Sequence, residues 1–215
     1  HRHGVPVLLD AAQGVQHLPV DVGKLDCDFF AFSGHKIYAE TGVGVLWGKK
    51  RWLEAMPPYR SGGGMIASTG LEKTSFLEAP LKFEAGTGHL SGAISLQAAL
   101  DYLGDVGFED VVAHERDVYD YALAELKDTD GITVYGNAPE RCGAISFNVG
   151  GMHHYDVGAL LDKIGIAVRT GHHCAEPLVN RLGEKGTVRA SFAMYNTLEE
   201  VDALIEGIER VKNLV

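Results

Sequence analysis

Lys36 stands in Ser33-Gly34-His35-Lys36, directly after the apolar run Phe29-Phe30-Ala31-Phe32 and ahead of a second one, Val43-Gly44-Val45-Leu46-Trp47. A lysine at a strand end is ordinarily a solvated surface residue, and burying its ammonium is costly unless it is paired or neutralised. Its neighbours argue for more. Gly34 permits a tight turn with positive φ, which would gather Ser33 and His35 at the C-terminal end of a strand, where open α/β sheets bind ligands. Upstream, Asp10 closes another strand-like run, and Gln13 follows it. An acid, an amide, a hydroxyl, an imidazole and a primary amine are thereby predicted at one sheet edge. Pyridoxal phosphate needs such a set: a lysine for a Schiff base, a carboxylate for the pyridinium nitrogen, and donors for the phenolic oxygen and phosphate.

A second cluster is Arg169-Thr170-Gly171-His172-His173-Cys174-Ala175-Glu176-Pro177. A lone cysteine is usually a small buried hydrophobe, but basic, polar neighbours of this kind favour the reactive thiolate. A rival reading is a zinc site using His172, His173 and Cys174 with His153 or His154. Adjacent His-His-Cys side chains diverge on most backbones, and the spacing typical of zinc ligands is missing, so no metal is expected. Arg189 lies in the apolar run Thr187-Val188-Arg189-Ala190-Ser191-Phe192. Such an arginine either snorkels to solvent or offers a bidentate fork to a substrate carboxylate.

The elements that must position these residues follow from the pattern. Residues 5–10, 27–34 and 43–50 read as short buried strands of the parallel type. From 57 to 91 the chain is Gly-rich and weakly periodic, and a loop of that length is usually functional or covered by a partner subunit. Helical spacing begins near residue 92 and recurs through 108–128. Beyond it, strands at 132–136, 144–149, 166–171 and 187–195 alternate with helices at 155–165 and 197–215. A boundary in the helix at about 92–104 gives a domain over 1–98 and a smaller α+β domain over 99–215.

Composition narrows the setting. The 215 residues are 46% hydrophobic and 22% charged, with 19 basic against 29 acidic side chains and a net charge of −10. The basic residues are scattered, which argues against nucleic-acid binding. No apolar run approaches the ~20 residues of a membrane span. Three dispersed cysteines, Cys27, Cys142 and Cys174, suit a reducing cytoplasm better than a disulfide framework. The chain opens at His1-Arg2-His3, on what reads as the last turn of a helix, and is expected to be the C-terminal part of a longer protein.

In order and spacing, Asp10-Ala11-Ala12-Gln13, the Ser33–Lys36 stretch with Ile37-Tyr38, the Thr41–Gly48 run, Phe83-Glu84-Ala85-Gly86-Thr87, the Arg169–Pro177 cluster and the Val188–Leu204 run resemble the class V aminotransferases. Within them they resemble the SUF-type, group II cysteine desulfurases, which include selenocysteine lyases. The resemblance spans essentially the whole chain and corresponds to the C-terminal half of such an enzyme. It implies a fold-type I, α/β pyridoxal phosphate enzyme: part of a large domain with a mixed, mostly parallel sheet, plus a small C-terminal α+β domain. Carried over by position, Lys36 holds the cofactor and later moves the substrate's α-proton. Asp10 pairs with the pyridine nitrogen, Gln13 with the phenolic oxygen, and Ser33 and His35 with the phosphate. Thr87 reaches the phosphate of the neighbouring subunit in a homodimer. Arg189, with Arg169 nearby, binds the substrate carboxylate, and Cys174 takes the substrate's sulfur as a persulfide, leaving alanine.

The same resemblance implies L-cysteine, or L-selenocysteine, as substrate and a sulfur-acceptor protein of the SUF system as partner, in iron–sulfur cluster assembly. The alternatives are a selenocysteine lyase and a non-catalytic sulfur- or metal-binding remnant. Two positions depart from the family's pattern: Ala39-Glu40 where it has Gly-Pro, and Gly88-His89 where it has Pro-Asn. The family's ring-stacking histidine and N-terminal phosphate loop have no counterpart here, and the fragment alone is expected to be inactive.

Overall fold

A computed structural model describes residues 1–136, 138, 141 and 143–214; Cys142 lies outside the described residues. The chain forms two compact units, His1–Phe108 and Glu109–Val215. The division falls beyond the expected 98/99 boundary, which would cut a continuous helix (Leu90–Val106) in its middle.

In the first unit, β1 (Leu8–Asp10), β2 (Phe29–Ser33) and β3 (Gly44–Gly48) form a sheet in that order. The β1–β2 pair is parallel, with Asp10 opposite Ala31. β3, expected as another parallel strand, is antiparallel to β2. Parallel partners need a crossover of about a dozen residues or more, whereas residues 34–43 fold back on themselves, Gly34 N–H donating to the Val43 carbonyl at 2.9 Å. Nor are the flanking strands buried as expected: Leu8 and Leu46 are 56% and 57% exposed. Between β1 and β2 comes α1 (Val22–Leu25), whose N-terminus is capped by the Asp21 carboxylate.

The Gly-rich stretch 57–91 is not structureless. It holds a hairpin of β4 (Ile66–Thr69) and β5 (Thr74–Phe76) and a short 3-10 turn at Leu81–Phe83. α2 (Lys50–Ala55) precedes it and α3 (Leu90–Val106) follows. Asp28, fully buried at the start of β2, ties this unit together. Its carboxylate accepts hydrogen bonds from the Val7 amide (2.9 Å), Arg51 (2.8 Å) and the Trp52 indole (2.8 Å), and meets the His1 ring at 2.7 Å. The Val7 amide first, then Trp52 and Arg51, hold its pKa well below the usual carboxylate range.

The second unit opens with α4, which runs from Phe108 to Asp128. Its sheet is antiparallel throughout, in the order β6 (Ile132–Tyr135), β7 (Ala144–Val149), β9 (Thr187–Ser191), β8 (Arg169–Gly171). α5 (His154–Asp162), α6 (Glu176–Arg181) and α7 (Leu198–Lys212) complete it. β7 alternates, placing Ile145, Phe147 and Val149 in a core with Val118, Ala122 and Leu126 of α4 and Val201, Leu204 and Ile208 of α7. A capping box starts α7: the Thr197 hydroxyl accepts from the Glu200 amide, and the Glu200 carboxylate accepts from the Thr197 amide at 3.1 Å, satisfying two donors the helix leaves open. Among the described residues no helix is long and apolar enough to cross a membrane.

Candidate functional site

The parallel register of β1 and β2 brings their C-terminal ends to one sheet edge. There Asp10 is exposed, one carboxylate oxygen accepting from the Ala12 amide at 3.0 Å. Ser33 ends β2 and precedes the 3-10 turn Gly34–Lys36, with its hydroxyl making no capping bond. Gly34 is buried against Val43, so a Cβ there would collide with its side chain. This close approach, rather than a positive φ, is what requires glycine.

Lys36 is half-buried, and no acceptor among the described residues reaches its amine. The contrast with Lys82 is informative. That buried lysine donates to the carbonyls of Glu54 (3.0 Å) and Met56 (2.8 Å) at the end of α2, as a buried ammonium must. Lys36 is left available for a covalent or ionic partner. Gln13 and His35 are exposed on the same edge, and Thr87 is exposed in the segment ahead of α3. No hydrogen bond among the described residues joins Thr87 to the others.

The second group sits on β8 and β9. Their antiparallel register sets Arg169 directly opposite Arg189. Like charges in that relation repel, and no carboxylate among the described residues pairs with either arginine. The Arg189 Nε is buried with no partner. Burial first, then the Arg169 charge, lowers its pKa from the ordinary arginine value. Two guanidiniums so placed would suit an anion.

Past the end of β8, the His172 carbonyl accepts from the Ala175 amide at 2.9 Å. The two residues inside that turn, His173 (φ 54°) and Cys174 (φ 60°), are both left-handed, as in a type I′ turn, which favours Gly and Asn. Each such non-glycine residue costs about 1–3 kcal/mol and persists only where its surroundings hold it. The hold is visible. His173 Nε2 lies 2.9 Å from the Thr187 hydroxyl and 3.1 Å from the Thr187 carbonyl. A carbonyl only accepts, so Nε2 carries the proton; Nδ1 is buried and unpartnered. Burial, and next the Arg189 charge, lower the His173 pKa below the ordinary histidine value. The turn leaves the Cys174 thiol exposed, with Arg169 Nη2 at 3.8 Å from Sγ.

His154 of α5 is buried against Gly186, and its pKa is lowered by burial and then by the adjacent His153. Among the described residues no three His, Cys, Asp or Glu side chains cluster as metal ligands do. The His173–Thr187 clasp had no sequence signal, and the left-handed turn little, because cysteine at position 174 is not a residue that such turns select.

Comparison with known proteins accords with this arrangement. The chain is 50% identical to a cysteine desulfurase of Escherichia coli K12, over its whole length and 53% of that relative. The structure superposes on the cysteine desulfurase CsdA of E. coli with a TM-score of 0.93 at 42% identity, covering 100% of this chain and 53% of that one. The apo cysteine desulfurase of Thermococcus onnurineus NA1 gives 0.95 at 38% identity, covering 100% and 54%. The chain thus spans about half the length of the relatives it matches, and its fold is the corresponding part of theirs. Residues 1–204 match the aminotransferase class-V family, and the chain belongs to that family.

Proposed function

We propose that the chain supplies the C-terminal half of a cysteine desulfurase that depends on pyridoxal 5'-phosphate and converts L-cysteine to L-alanine, carrying the released sulfur on Cys174. The observation that carries this reading is the exposed Cys174 thiol, held on a strained turn with the Arg169 guanidinium beside it. The relatives' activity is in accord with it.

The donor set at the β1–β2 edge suits the cofactor: an unpartnered amine, a carboxylate with one oxygen unused by Ala12, a free hydroxyl and an exposed imidazole. When bound, pyridoxal phosphate supplies an electron sink that labilises bonds at the α-carbon of an amino acid. Lys36 would anchor it and afterwards take the α-proton of the substrate. Asp10 would keep its ring nitrogen protonated, and Gln13, Ser33 and His35 would fix its oxygens. Thr87 would serve the neighbouring subunit of a homodimer.

Arg189 and Arg169 would clamp the substrate's carboxylate, offsetting the repulsion between them. The Cys174 thiolate would then attack the sulfur of cysteine. The new S–S bond forms as the carbon–sulfur bond breaks, the carbon fragment gains a proton and leaves as alanine, and a persulfide stays on Cys174. The persulfide would pass to a dedicated acceptor protein, since the short turn has little reach.

The test uses the complete enzyme. After treatment with L-cysteine, one reductant-labile sulfur should appear on the peptide containing Cys174, and Cys174→Ser should keep the cofactor's absorbance while losing nearly all alanine formation, a hydroxyl being a far weaker nucleophile. Sulfur mapped to Cys27 or Cys142, or wild-type turnover by Cys174→Ser, would overturn the proposal.

A further inference from the structure

The loop that carries Lys36 is closed at its base and held at its tip. At the base, Gly34 N–H donates to Val43 O, and the amides of Ile37 and Ala39 both donate to Gly34 O, at 2.9 and 3.1 Å. At the tip stands Glu40. Its backbone N–H donates to the Ser95 hydroxyl at 2.8 Å, and its Oε1 accepts from the Ser91 hydroxyl at 2.7 Å. His89 Nε2 lies 3.1 Å from the same Oε1 and 3.2 Å from the Thr41 carbonyl. The His89 ring also rests on Gly42 and on Gly92, where a Cβ would collide with it at Gly92 and crowd it at Gly42. Glu40 and His89 fall at the two places where the sequence departs from the pattern it resembles. A proline at position 40 could not give the N–H that Ser95 receives.

We propose that Glu40, His89, Ser91 and Ser95 form a clasp that fixes the Lys36 loop against the first turns of α3, making Glu40 and His89 positioning residues for Lys36. The proposal rests on the reading of Lys36 as the residue that holds the cofactor. Glu40 and His89 are both about half exposed (42% and 46%), so the pair adds little to global stability. Its effect is local. It restricts residues 37–43, and misplacing a reacting group by about 1 Å can cost about a hundredfold in rate.

Three single variants of the complete enzyme, Glu40→Ala, His89→Ala and Ser95→Ala, test this against Ser95→Thr, which retains a hydroxyl. The first readout needs no cofactor: amide hydrogen exchange of residues 37–43 in the apo-enzyme should quicken about 3- to 10-fold in the alanine variants, with the unfolding midpoint unchanged. In the holo-enzyme, cofactor release followed by absorbance should quicken by a similar factor and kcat should fall while KM holds. Ser95→Thr should behave as wild type. Because the four residues act as one unit, Glu40→Ala with His89→Ala should be no worse than the more severe single variant. Wild-type exchange and release in the alanine variants would overturn the clasp. Borohydride reduction of the wild type judges the underlying reading separately: a cofactor trapped on a lysine other than Lys36 would overturn that reading, whereas the apo-enzyme exchange still decides the clasp.

Discussion

Replacing Arg189 by methionine should move stability and substrate binding in opposite directions. The Arg189 guanidinium is half-buried, its Nε has no acceptor among the described residues, and Arg169 faces it across the β8–β9 pair. A buried polar group left unsatisfied costs about 1–3 kcal/mol. Partial exposure reduces that here to roughly 0.5–1 kcal/mol. Methionine keeps the packing of the stem and discards the charge, so unfolding in denaturant without substrate should show a gain of about 0.5–1 kcal/mol. Binding should suffer. Hydrogen bonds to charged groups contribute about 1.5–3 kcal/mol, so the KM for L-cysteine should rise about 10- to 100-fold, with the cofactor spectrum intact. Arg189→Lys should fall between, retaining the charge without the fork. A methionine variant that is less stable than wild type and has an unchanged KM would refute the assignment, returning Arg189 to a purely structural role.

Asp28→Asn should destabilise the first unit at neutral pH, since the Val7 amide, Arg51 and the Trp52 indole all face an ionised carboxylate. Because the folded pKa is lowered from 3.8, the wild type's advantage is fully present above about pH 4 and disappears as the pH falls through the folded value; urea unfolding at pH 7 and pH 3 should show the gap between variant and wild type shrinking. Thr187→Val should loosen the Cys174 turn, since His173 keeps only the Thr187 carbonyl. The rate of Cys174 alkylation should then change with little change in cofactor binding, while Thr187→Ser should alkylate as wild type does.

Sequence pattern was most informative where side-chain periodicity alone decides the outcome. The apolar spacing over 108–128 became α4 over the same residues, and the runs at 132–136 and 144–149 became β6 and β7, while of the run at 187–195 the strand β9 takes only the part up to Ser191. Strand direction was less legible: β3 carries the continuous apolar composition of a parallel strand, yet the fold-back at Gly34–Val43 dictates the opposite sense. The β4–β5 hairpin escaped notice because it spans few residues amid glycines and buries little. For the proposed site, residue types alone singled out Lys36, Asp10, Arg189 and Cys174 as candidates, since each is chemically unusual where it stands. What could not be read were relations: Arg169 opposite Arg189, His173 on Thr187, and the partners gathered on Asp28. Those depend on registers and turns that only the assembled chain fixes.

The strand order β6-β7-β9-β8 gives the two halves of the proposed chemistry different mechanical footings. Arg189 sits on β9, an interior strand paired on both sides, so its amides are expected to exchange only through large-scale opening. Cys174 follows β8, an edge strand, on a turn whose own bonds involve few residues. The turn's tie to the interior of the sheet is His173 on Thr187 of β9, and changes in length beyond that tie need not disturb the core, as is usual for surface connections. On the proposed function, how far the sulfur would be carried and how firmly the substrate would be gripped are separable properties of this unit, open to independent tuning by selection or by design.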